Sequence, residues 1–438
     1  MSLLKIIIPV LIICFLLIFA FVLYNYWYIF PPSFIDVVRD IRDDVQGVAK
    51  STEQSVGVPA KYSINDDDFR IEEYTSGLHQ PTTMAFLGDN IIILEKNNGK
   101  VLLIEDGQIN DKPLLDFNVQ SYWESGLLGV TVNGNDVYFH LTEAEEDGGK
   151  RIGNNIYRFY WNGESLTNKQ LINSLGLKAD GHNGGVMTTG LDGQIYTVIG
   201  DQGAAQAGGV KDGQTLTQNR NEGEFDDTGV IIRVGLDEDV IKPKDSENPL
   251  EHYYAIGIRN SFGLAIDPVT GNLWDTENGS NSFDEVNLVS ENFNSGWAVT
   301  MGPASEEQIA ELLNFNKYMY GDPKFSWEKT IAPTGLAFAD SESFDKYRNE
   351  LFVADCNGQI FKFKLNDDRD DFIFDSTHLQ DLVANMTKNE SGENIVEPLD
   401  EIEFGNGFGC ITDIKFGPDG NLYVVSLSDN MIYRIVPK

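Results

Sequence analysis

The sequence predicts an all-β fold, a six-bladed β-propeller of four-stranded sheets, preceded by one N-terminal transmembrane helix and a stalk. Three observations predict this arrangement. The N-terminus is an uncharged apolar run, a polar and charged segment follows it, and short β-rich runs separated by Gly, Asn and Asp turns fill the rest of the 438 residues. We therefore divide the chain into an anchor (1–30), a stalk (31–68) and a propeller (69–438).

The predicted anchor is the uncharged run IIIPVLIICFLLIFAFVL, from Ile6 to Leu23, and the aromatic residues YNYWYIF follow it. A run of about 20 apolar residues crosses a bilayer, and aromatic residues are typical of the membrane interface. Bulky aromatic residues argue against cleavage as a signal peptide, which requires small residues at that point. Because Lys5 precedes the run and acidic residues follow it, we predict a single-pass membrane protein with its propeller on the extracytoplasmic side.

The stalk is predicted from the polar segment FIDVVRDIRDDVQGVAK, which has weak helical periodicity. The propeller is predicted from a recurring unit in which an apolar strand, a polar turn and a second apolar strand follow one another. A β-sandwich would not repeat this unit through the whole domain. The six copies read MAFLGDNIIILE, VTVNGNDVYFHL, MTTGLDGQIYTV, LAIDPVTGNLWDTE, LAFADSESFDKYRNELFVAD and IKFGPDGNLYVVSL.

Two further segments complete the predicted architecture. The strand FRIEEYTSGL precedes the first copy, and we expect it to complete the last blade and close the ring, which removes exposed sheet edges. The segment SEEQIAELLNFNKYMY (305–320) is the main helical exception in an otherwise β-rich domain.

The chain is strongly acidic, with 68 Asp and Glu residues against 32 Lys and Arg residues and a formal net charge of −36. Such a charge opposes binding to nucleic acid, because the chain has no positive excess to neutralise phosphates. We therefore expect no nucleic-acid partner, and cations are the more favourable small ligands. A solvated surface suited to a salty medium also explains the acidity without any specific site.

Polar residues at the predicted strand ends form the candidate site. His182 precedes one strand of a blade and Asp201 follows the next, so one turn of sheet can return the carboxylate to the imidazole. Without such a partner, a histidine beside glycines is more typical of a turn. Arg259 lies in GIRNSFGLAIDP, and an arginine near such a pair can stabilise a developing oxyanion. The combination suits proton abstraction from an alcohol. Motifs for nucleotide binding, zinc helices and serine nucleophile elbows are absent from the sequence.

The stretches SGLLG, HNGG…DGQIYTVIGDQG and GIRNSFGLAIDP…GNLW occur in one order. From about Leu78 to the C-terminus, the chain resembles the PQQ-dependent soluble glucose and aldose (glucose/sorbosone) dehydrogenases, which are six-bladed propellers. The resemblance implies that His182 is the general base for the sugar C1 hydroxyl while hydride passes to the quinone, and that Asp201 orients it. It also implies that Arg259 stabilises charge on the quinone oxygen.

The resemblance implies further contacts with the cofactor and its metal. Glu124 and Asn260 would contact PQQ, and the backbone carbonyls of Gly279 and Ser280 would hold a Ca²⁺ that activates the quinone. Oxygen ligands suit this hard cation. The family's last two blades supply a Lys-Thr pair and two arginines to the three PQQ carboxylates. This chain departs from that pattern at the two segments VADCNGQIF and GFGCITDIKF.

The positions that match the missing cations fall near Cys356 and Asn357 on one loop, and near Cys410 and Thr412 on the next. Asn357 and Thr412 are therefore the predicted cofactor contacts there, and loss of charged hydrogen bonds weakens PQQ binding. The same comparison brings the two cysteines to neighbouring loops, so we predict a Cys356–Cys410 disulfide, which suits an exported domain. Two unpaired thiols are the alternative.

The resemblance implies a membrane-anchored, extracytoplasmic enzyme that oxidises an aldose sugar to its lactone, with PQQ and Ca²⁺ as cofactors and an external electron acceptor. Two alternatives stay open. A non-catalytic cell-surface propeller that binds a glycan or a protein partner could have kept the fold and lost PQQ. The polar loop residues could also serve only as hydrogen-bond plugs between blades.

Overall fold

A computed structural model describes residues 62–176, 180–202, 227–235, 252–312, 317–388 and 394–438. The predicted anchor and the stalk up to residue 61 lie outside these residues. Among the residues described, we find no helix that is both long and apolar enough to cross a membrane. All of the described residues belong to one compact unit, Ala60–Lys438.

The described secondary structure is nearly all β, with one α-helix, α1 (Glu306–Glu311), in the segment predicted to be helical. The strands of the first half are β1 (Ser63–Ile64), β2 (Phe69–Ser76), β3 (Pro81–Leu87), β4 (Asn90–Glu95), β5 (Lys100–Glu105), β6 (Gln108–Ile109), β7 (Leu115–Asp116), β8 (Leu127–Asn133), β9 (Asp136–Ala144), β10 (Arg151–Trp161), β11 (Leu166–Leu175), β12 (Met187–Thr189), β13 (Ile195–Ile199), β14 (Val230–Val234) and β15 (Tyr253–Ile256).

The remaining strands follow in chain order, with two 3₁₀ turns at Glu342–Tyr347 and Thr377–Leu379. They are β16 (Ser261–Ile266), β17 (Leu273–Glu277), β18 (Asp284–Val289), β19 (Phe293–Asn294), β20 (Met319–Tyr320), β21 (Phe325–Trp327), β22 (Pro333–Phe338), β23 (Leu351–Asp355), β24 (Ile360–Phe363), β25 (Val383–Ala384), β26 (Met386–Lys388), β27 (Asn394–Val396), β28 (Glu403–Asn406), β29 (Ile411–Phe416), β30 (Leu422–Ser426) and β31 (Met431–Pro437).

Six sheets of four or more strands, and one two-stranded ribbon (β26 and β27), contain the described strands. In each of the six larger sheets, we call the strand that begins the recurring sequence unit the inner strand. The inner strands are β3, β8, β12, β16, β22 and β29. We number sheets 1 to 6 in that order. Each recurring sequence unit forms the inner strand and the second strand of one sheet, as predicted.

The sheets form a ring, because each inner strand lies against the next and β29 returns to β3. Six buried apolar clusters fill the spaces between consecutive sheets, and one of them joins sheet 6 to sheet 1 through residues such as Val425 and Ile91. The predicted all-β propeller is confirmed. The N-terminal strand β2 pairs antiparallel with β31, with Ile71 opposite Ile435, so the predicted closing strand is also confirmed.

Two details of the prediction are wrong. Only sheets 2 and 6 have four strands, whereas the others have five or six. The additional strands, such as β19, β20 and β25, pair parallel with the outer strands, because an outer edge leaves backbone groups that another segment can bond. The predicted stalk also ends too late. Ser63 and Ile64 pair with β28, and Asp66 accepts a hydrogen bond from Lys346 Nζ at 2.7 Å.

Side chains of the inner strands bond directly to the next sheet. Thr82 Oγ1 donates to Leu127 O at 3.0 Å, and Thr334 Oγ1 donates to Ile411 O at 2.9 Å. At the junction of sheets 6 and 1, the buried carboxylate of Asp413 accepts a hydrogen bond from the backbone N–H of Met84 at 2.9 Å. These bonds fix the register of neighbouring sheets near the ring axis.

Replacing Asp413 tests this junction. Asp413→Ala leaves the Met84 N–H buried without an acceptor. We therefore expect the free energy of unfolding to fall by about 1–3 kcal/mol, as for other unsatisfied buried groups. Denaturant unfolding of the folded domain measures this change. The control Asp400→Ala, at an exposed position, should change the free energy by less than about 0.5 kcal/mol. Equal effects of both substitutions would contradict the account of the junction.

Candidate active site

A cavity of about 280 Å³ lies on the ring axis. Every sheet contributes to the cavity lining a residue that lies on its inner strand or just before that strand. These residues are Thr82, Leu128, Val186, Phe262, Thr334 and Thr412. This volume is close to the lower end of the range of ligand pockets, which are commonly 300–1,000 Å³. A ligand in this cavity therefore meets residues from the whole ring.

His182 and Asp201 meet beside Glu124, which lines this cavity. Asp201 Oδ1 is hydrogen-bonded to His182 Nδ1, and Asp201 Oδ2 accepts a hydrogen bond from Trp297 Nε1 at 2.7 Å. His182 is 4 % exposed and Asp201 is fully buried. Because a carboxylate only accepts, Nδ1 of a neutral His182 carries the proton and Nε2 is its basic nitrogen. The predicted imidazole–carboxylate pair is therefore present in the structure.

The glycines around this pair allow the backbone to approach closely. Gly184 has φ +60°, and a Cβ there would lie 2.7 Å from Val198 O. A Cβ on Gly200 would lie 2.6 Å from Arg259 O and 2.7 Å from His182 O. Larger residues would force the histidine segment away from the end of β13, which leads into Asp201. The sequence HNGG…IGD is thus the local reason that the pair forms.

Arg259 is held beside the pair by three hydrogen bonds. Its backbone N–H donates to Glu277 Oε1 at 2.7 Å, and its Nη1 donates to Asn278 O at 2.6 Å and to Gly279 O at 2.8 Å. Its guanidinium carbon lies 5.3 Å from the centre of the Trp297 ring. Burial lowers the pKa of Arg259, although nearby carboxylates act in the opposite direction. The result is a fixed positive charge near the Asp201 carboxylate.

Glu124 and Asn260 connect this cluster to the cavity. Glu124 lines the cavity, and Glu124 Oε2 accepts from the backbone N–H of His182 and from Asn260 Nδ2, the latter at 3.4 Å. Two buried polar atoms of the cluster, Arg259 Nε and Asn260 Oδ1, have no hydrogen-bond partner. Buried polar atoms are usually satisfied, so this pair of atoms marks a place where a polar ligand group would be favourable.

Behind Arg259 lies a buried acidic face of sheet 4. Asp275 and Glu277 on β17 oppose Asn287 and Glu285 on β18. Burial raises the pKa of all three carboxyl groups, and it raises that of Glu277 to about 7. Ser295 Oγ donates to Glu277 Oε2 at 2.7 Å, so this carboxyl is held in place while it supports the Arg259 backbone.

The predicted calcium loop adopts a defined turn. Gly279 N–H donates to Asp284 Oδ1 at 2.7 Å, while Asp284 Oδ2 accepts from the backbone N–H of Ile331 at 2.6 Å. Gly279 O already accepts from Arg259, and Ser280 is exposed. The parts of the chain that are described contain no group of three or more His, Cys, Asp or Glu side chains suited to a metal. Calcium binding by the two carbonyls stays a prediction.

The predicted disulfide between Cys356 and Cys410 is confirmed, and it lines the cavity. It joins the turn between β23 and β24 to the residue before β29. Thr412 also lines the cavity, but its Oγ1 donates to Pro81 O at 3.1 Å. Asn357 does not line the cavity, contrary to its predicted role, because Asn357 Nδ2 donates to Ile331 O at 2.8 Å and ties the side chain to a neighbouring loop.

Sequence reasoning missed two residues of the site. Trp297 donates to Asp201 across 96 positions of the chain, and no local sequence signal predicts such a contact. Trp274, in contrast, is fully buried in the core between sheets 4 and 5. Lys96 lines the cavity near Glu124, and it lies in a turn without a recognisable motif.

Asp355 gives the disulfide loop a pH-dependent stability that can be tested. Burial raises the pKa of Asp355 to about 7, although backbone N–H groups donate to it. The folded state therefore keeps a proton that the unfolded chain loses near its ordinary pKa. Stability from this group is present below the unfolded pKa and is lost as the pH rises towards about 7.

The variant Asp355→Asn does not titrate at this position. We expect the difference in unfolding free energy, wild type minus variant, to decrease between pH 5 and pH 7 by up to about 1.4 kcal/mol per pH unit. Denaturant titrations at several pH values measure it. A difference that does not vary with pH would contradict the raised pKa.

Comparisons with known proteins identify the family of the chain. The sequence model of the glucose/sorbosone dehydrogenase family matches residues 78–434. Quinoprotein glucose dehydrogenase B of Acinetobacter calcoaceticus is 30% identical over 54% of this chain and 54% of that protein. The aldose sugar dehydrogenase of Escherichia coli is 22% identical over 84% of this chain and 93% of that protein. The fold also matches a PQQ-bound aldose sugar dehydrogenase from Streptomyces coelicolor, with a TM-score of 0.58, 20% identity, and coverage of 87% and 99% of the two chains.

Proposed function

This chain belongs to the glucose/sorbosone dehydrogenase family of oxidoreductases, and from that premise we propose that it oxidises an aldose sugar to the corresponding lactone. The observation that carries the proposal is the buried pair of His182 and Asp201, held by Trp297 and lying beside Glu124, which lines the axial cavity. A carboxylate that orients a histidine is the arrangement expected for a general base.

In the proposed reaction, His182 Nε2 takes the proton of the C1 hydroxyl. The C1–H bond breaks as hydride leaves for an electron acceptor of the quinone class, and the C1–O bond becomes the lactone carbonyl. A bound quinone would supply the acceptor for this hydride and for one further proton, so that the two electrons of the C1–H bond would leave the sugar. Asp201 stabilises the imidazolium that forms on His182.

The neighbouring residues have distinct proposed roles. The Arg259 guanidinium stabilises negative charge that develops on an acceptor oxygen, and its unpartnered Nε supports this role. Asn260 Oδ1, also unpartnered, and the Glu124 carboxylate are acceptors for hydroxyl groups of a sugar. Together these groups orient the substrate so that its C1 hydroxyl faces the imidazole.

PQQ is the cofactor that the family implies, and the residues here fit it only in part. The unpartnered Nε–H of Arg259 can donate to a quinone oxygen, but the three carboxylates of PQQ need cations. Among the described lining residues, Lys96 is the one cation, and Glu124 lies on the same wall with the opposite charge. The cavity therefore does not fit the tricarboxylate. A Ca²⁺ bound by the carbonyls of Gly279 and Ser280 would add positive charge. We include Ca²⁺ in the proposal only as an ion held by these two carbonyls.

We also propose that the chain is anchored in a membrane by its N-terminal segment, with the propeller on the extracytoplasmic side. The uncharged apolar run at the N-terminus supports this location. The Cys356–Cys410 disulfide supports it independently, because disulfides persist mainly in oxidising compartments.

A second candidate is a non-catalytic propeller that binds a glycan or a protein partner at the cell surface. The scarcity of cations in the described cavity lining favours it, since that feature opposes PQQ. This candidate predicts that sugar binds without conversion, whereas the dehydrogenase produces a lactone and a reduced acceptor.

Substitution of the base separates the two candidates. His182 has φ +54°, a conformation that Asn tolerates better than Ala, so His182→Asn removes the base with little backbone strain. We expect kcat for aldose oxidation to fall about 10²–10⁴-fold, the usual contribution of a general base. Steady-state rates with a set of aldoses and soluble quinones measure it. The control His79→Asn, at an exposed histidine, should retain the wild-type rate. Full activity of His182→Asn would exclude the proposed role.

The anchor is tested by fractionation of cells that express the full chain. We expect the protein to stay in the membrane pellet after alkaline carbonate washing, because an apolar run of this length inserts in the bilayer. A version without residues 1–30 should be released. Release of the full chain by carbonate would contradict the anchor, and protection from protease added outside the cytoplasmic membrane would contradict the orientation.

A further inference from the structure

One part of the cavity lining, which we call its floor, consists of the Cys356–Cys410 disulfide, Leu128, Leu427 and several threonines. The disulfide and the two leucines contribute sulfur and aliphatic groups, so the floor is apolar. The disulfide is covalent and has no proton to donate, so these groups offer an incoming carboxylate nothing to bond.

Threonines are the main polar residues of the floor, and their hydroxyl protons are already in use. Thr82 donates to Leu127 O at 3.0 Å, Thr83 donates to Leu128 O at 3.1 Å, and Thr412 donates to Pro81 O at 3.1 Å. Thr334 likewise donates to Ile411 O at 2.9 Å. A hydroxyl has one proton, so each of these side chains presents a methyl group and lone pairs to the cavity. Carboxylate oxygens require donors, which this floor does not provide.

Two carboxyl groups lie next to the floor, and Lys96, the one cation among the described lining residues, already donates through Nζ to Asn97 Oδ1 at 3.1 Å and to Ser121 O at 3.4 Å. Asp413 follows the lining residue Thr412, and Asp355 precedes the lining residue Cys356; both carboxyl groups are buried. Lys415 Nζ lies 3.1 Å from Asp413 Oδ1 and balances that carboxylate, so it is already engaged as an ion-pair partner. The raised pKa of Asp355 agrees with a poorly solvated surrounding that disfavours negative charge.

We propose that the cavity floor binds the ring of an uncharged quinone, and that it selects against a quinone that carries carboxylates. This inference rests on the proposed function, because it identifies the chemical class of the electron acceptor. The unpartnered Nε–H of Arg259 donates to a quinone oxygen, while the disulfide and the threonine methyl groups contact the ring face. Burial of an unpaired carboxylate on this floor would cost free energy that ring contact cannot offset.

PQQ and its trimethyl ester test this selectivity directly, because the two molecules share the quinone ring and differ in their three carboxylate charges. We would measure binding of each to the full chain in detergent by calorimetry, in the presence of Ca²⁺ and after chelation. We expect the ester to bind at least tenfold more tightly than the acid in both conditions. Tighter or equal binding of the acid in either condition would overturn the inference, as would failure of both molecules to bind.

Leu427 offers a matched pair of variants at the same cavity. Leu427→Lys adds a cation to the lining, so the acid should gain at least tenfold in affinity and the ester should not. Leu427→Gln adds polarity without charge and should keep the wild-type preference for the ester. An equal gain for both ligands in Leu427→Lys would mean that charge does not determine the selectivity, and would overturn the inference.

These binding results are separable from the proposed function. Calorimetry detects the floor's selectivity whether or not a sugar is converted, whereas the proposed function depends on the loss of turnover in His182→Asn. Tight binding of the acid with normal turnover would leave the dehydrogenase in place and reject only the uncharged acceptor. Preference for the ester without turnover of any aldose would reject the dehydrogenase and keep the selectivity.

Discussion

Pairing of the N-terminal strand β2 with the C-terminal strand β31 is the constraint on which the rest of the propeller depends. It completes sheet 6 from both ends of the described chain, so that sheet 6 can pack against sheet 1 around Val425 and Ile91. Asp413 then reaches the Met84 N–H, and Thr412 reaches Pro81. Without this closure, the outer edge of β31 would be left unpaired.

The chemistry of the site follows from this geometry. Sheet 2 supplies Glu124 just before its inner strand, the hairpin of sheet 3 supplies His182 and Asp201, and Arg259 precedes sheet 4. Trp297 follows β19 and fixes the second oxygen of Asp201. No single segment contains more than the imidazole and its carboxylate. The ring brings the positive charge and the acceptor groups to that pair, and the floor of threonines and a disulfide gives the cavity a polar edge and an apolar base.

The sequence was sufficient for the ring, the closing strand and the His182–Asp201 pair, because each depends on local alternation or on positions within one hairpin. The disulfide followed from the family resemblance and not from the spacing of the cysteines. Trp297 could not be predicted, since its contact with Asp201 depends on how two sheets pack. Asn357 was misplaced because a side chain at a loop can bond to the next loop as easily as it can face the axis. The early start of the fold at Ser63 depends on a free outer edge of sheet 5, which local composition does not reveal.

The central claim is that this site removes hydride from C1 of an aldose while His182 takes the hydroxyl proton. The most direct measurement is the oxidation of aldoses that carry deuterium at C1, followed with uncharged and carboxylated quinones by mass spectrometry of the product. The account predicts a lactone that has lost the deuterium, deuterium in the reduced acceptor or in solvent, and a slower rate than with the protonated sugar. Unchanged sugar with every acceptor, or a product that retains the C1 deuterium, would contradict it.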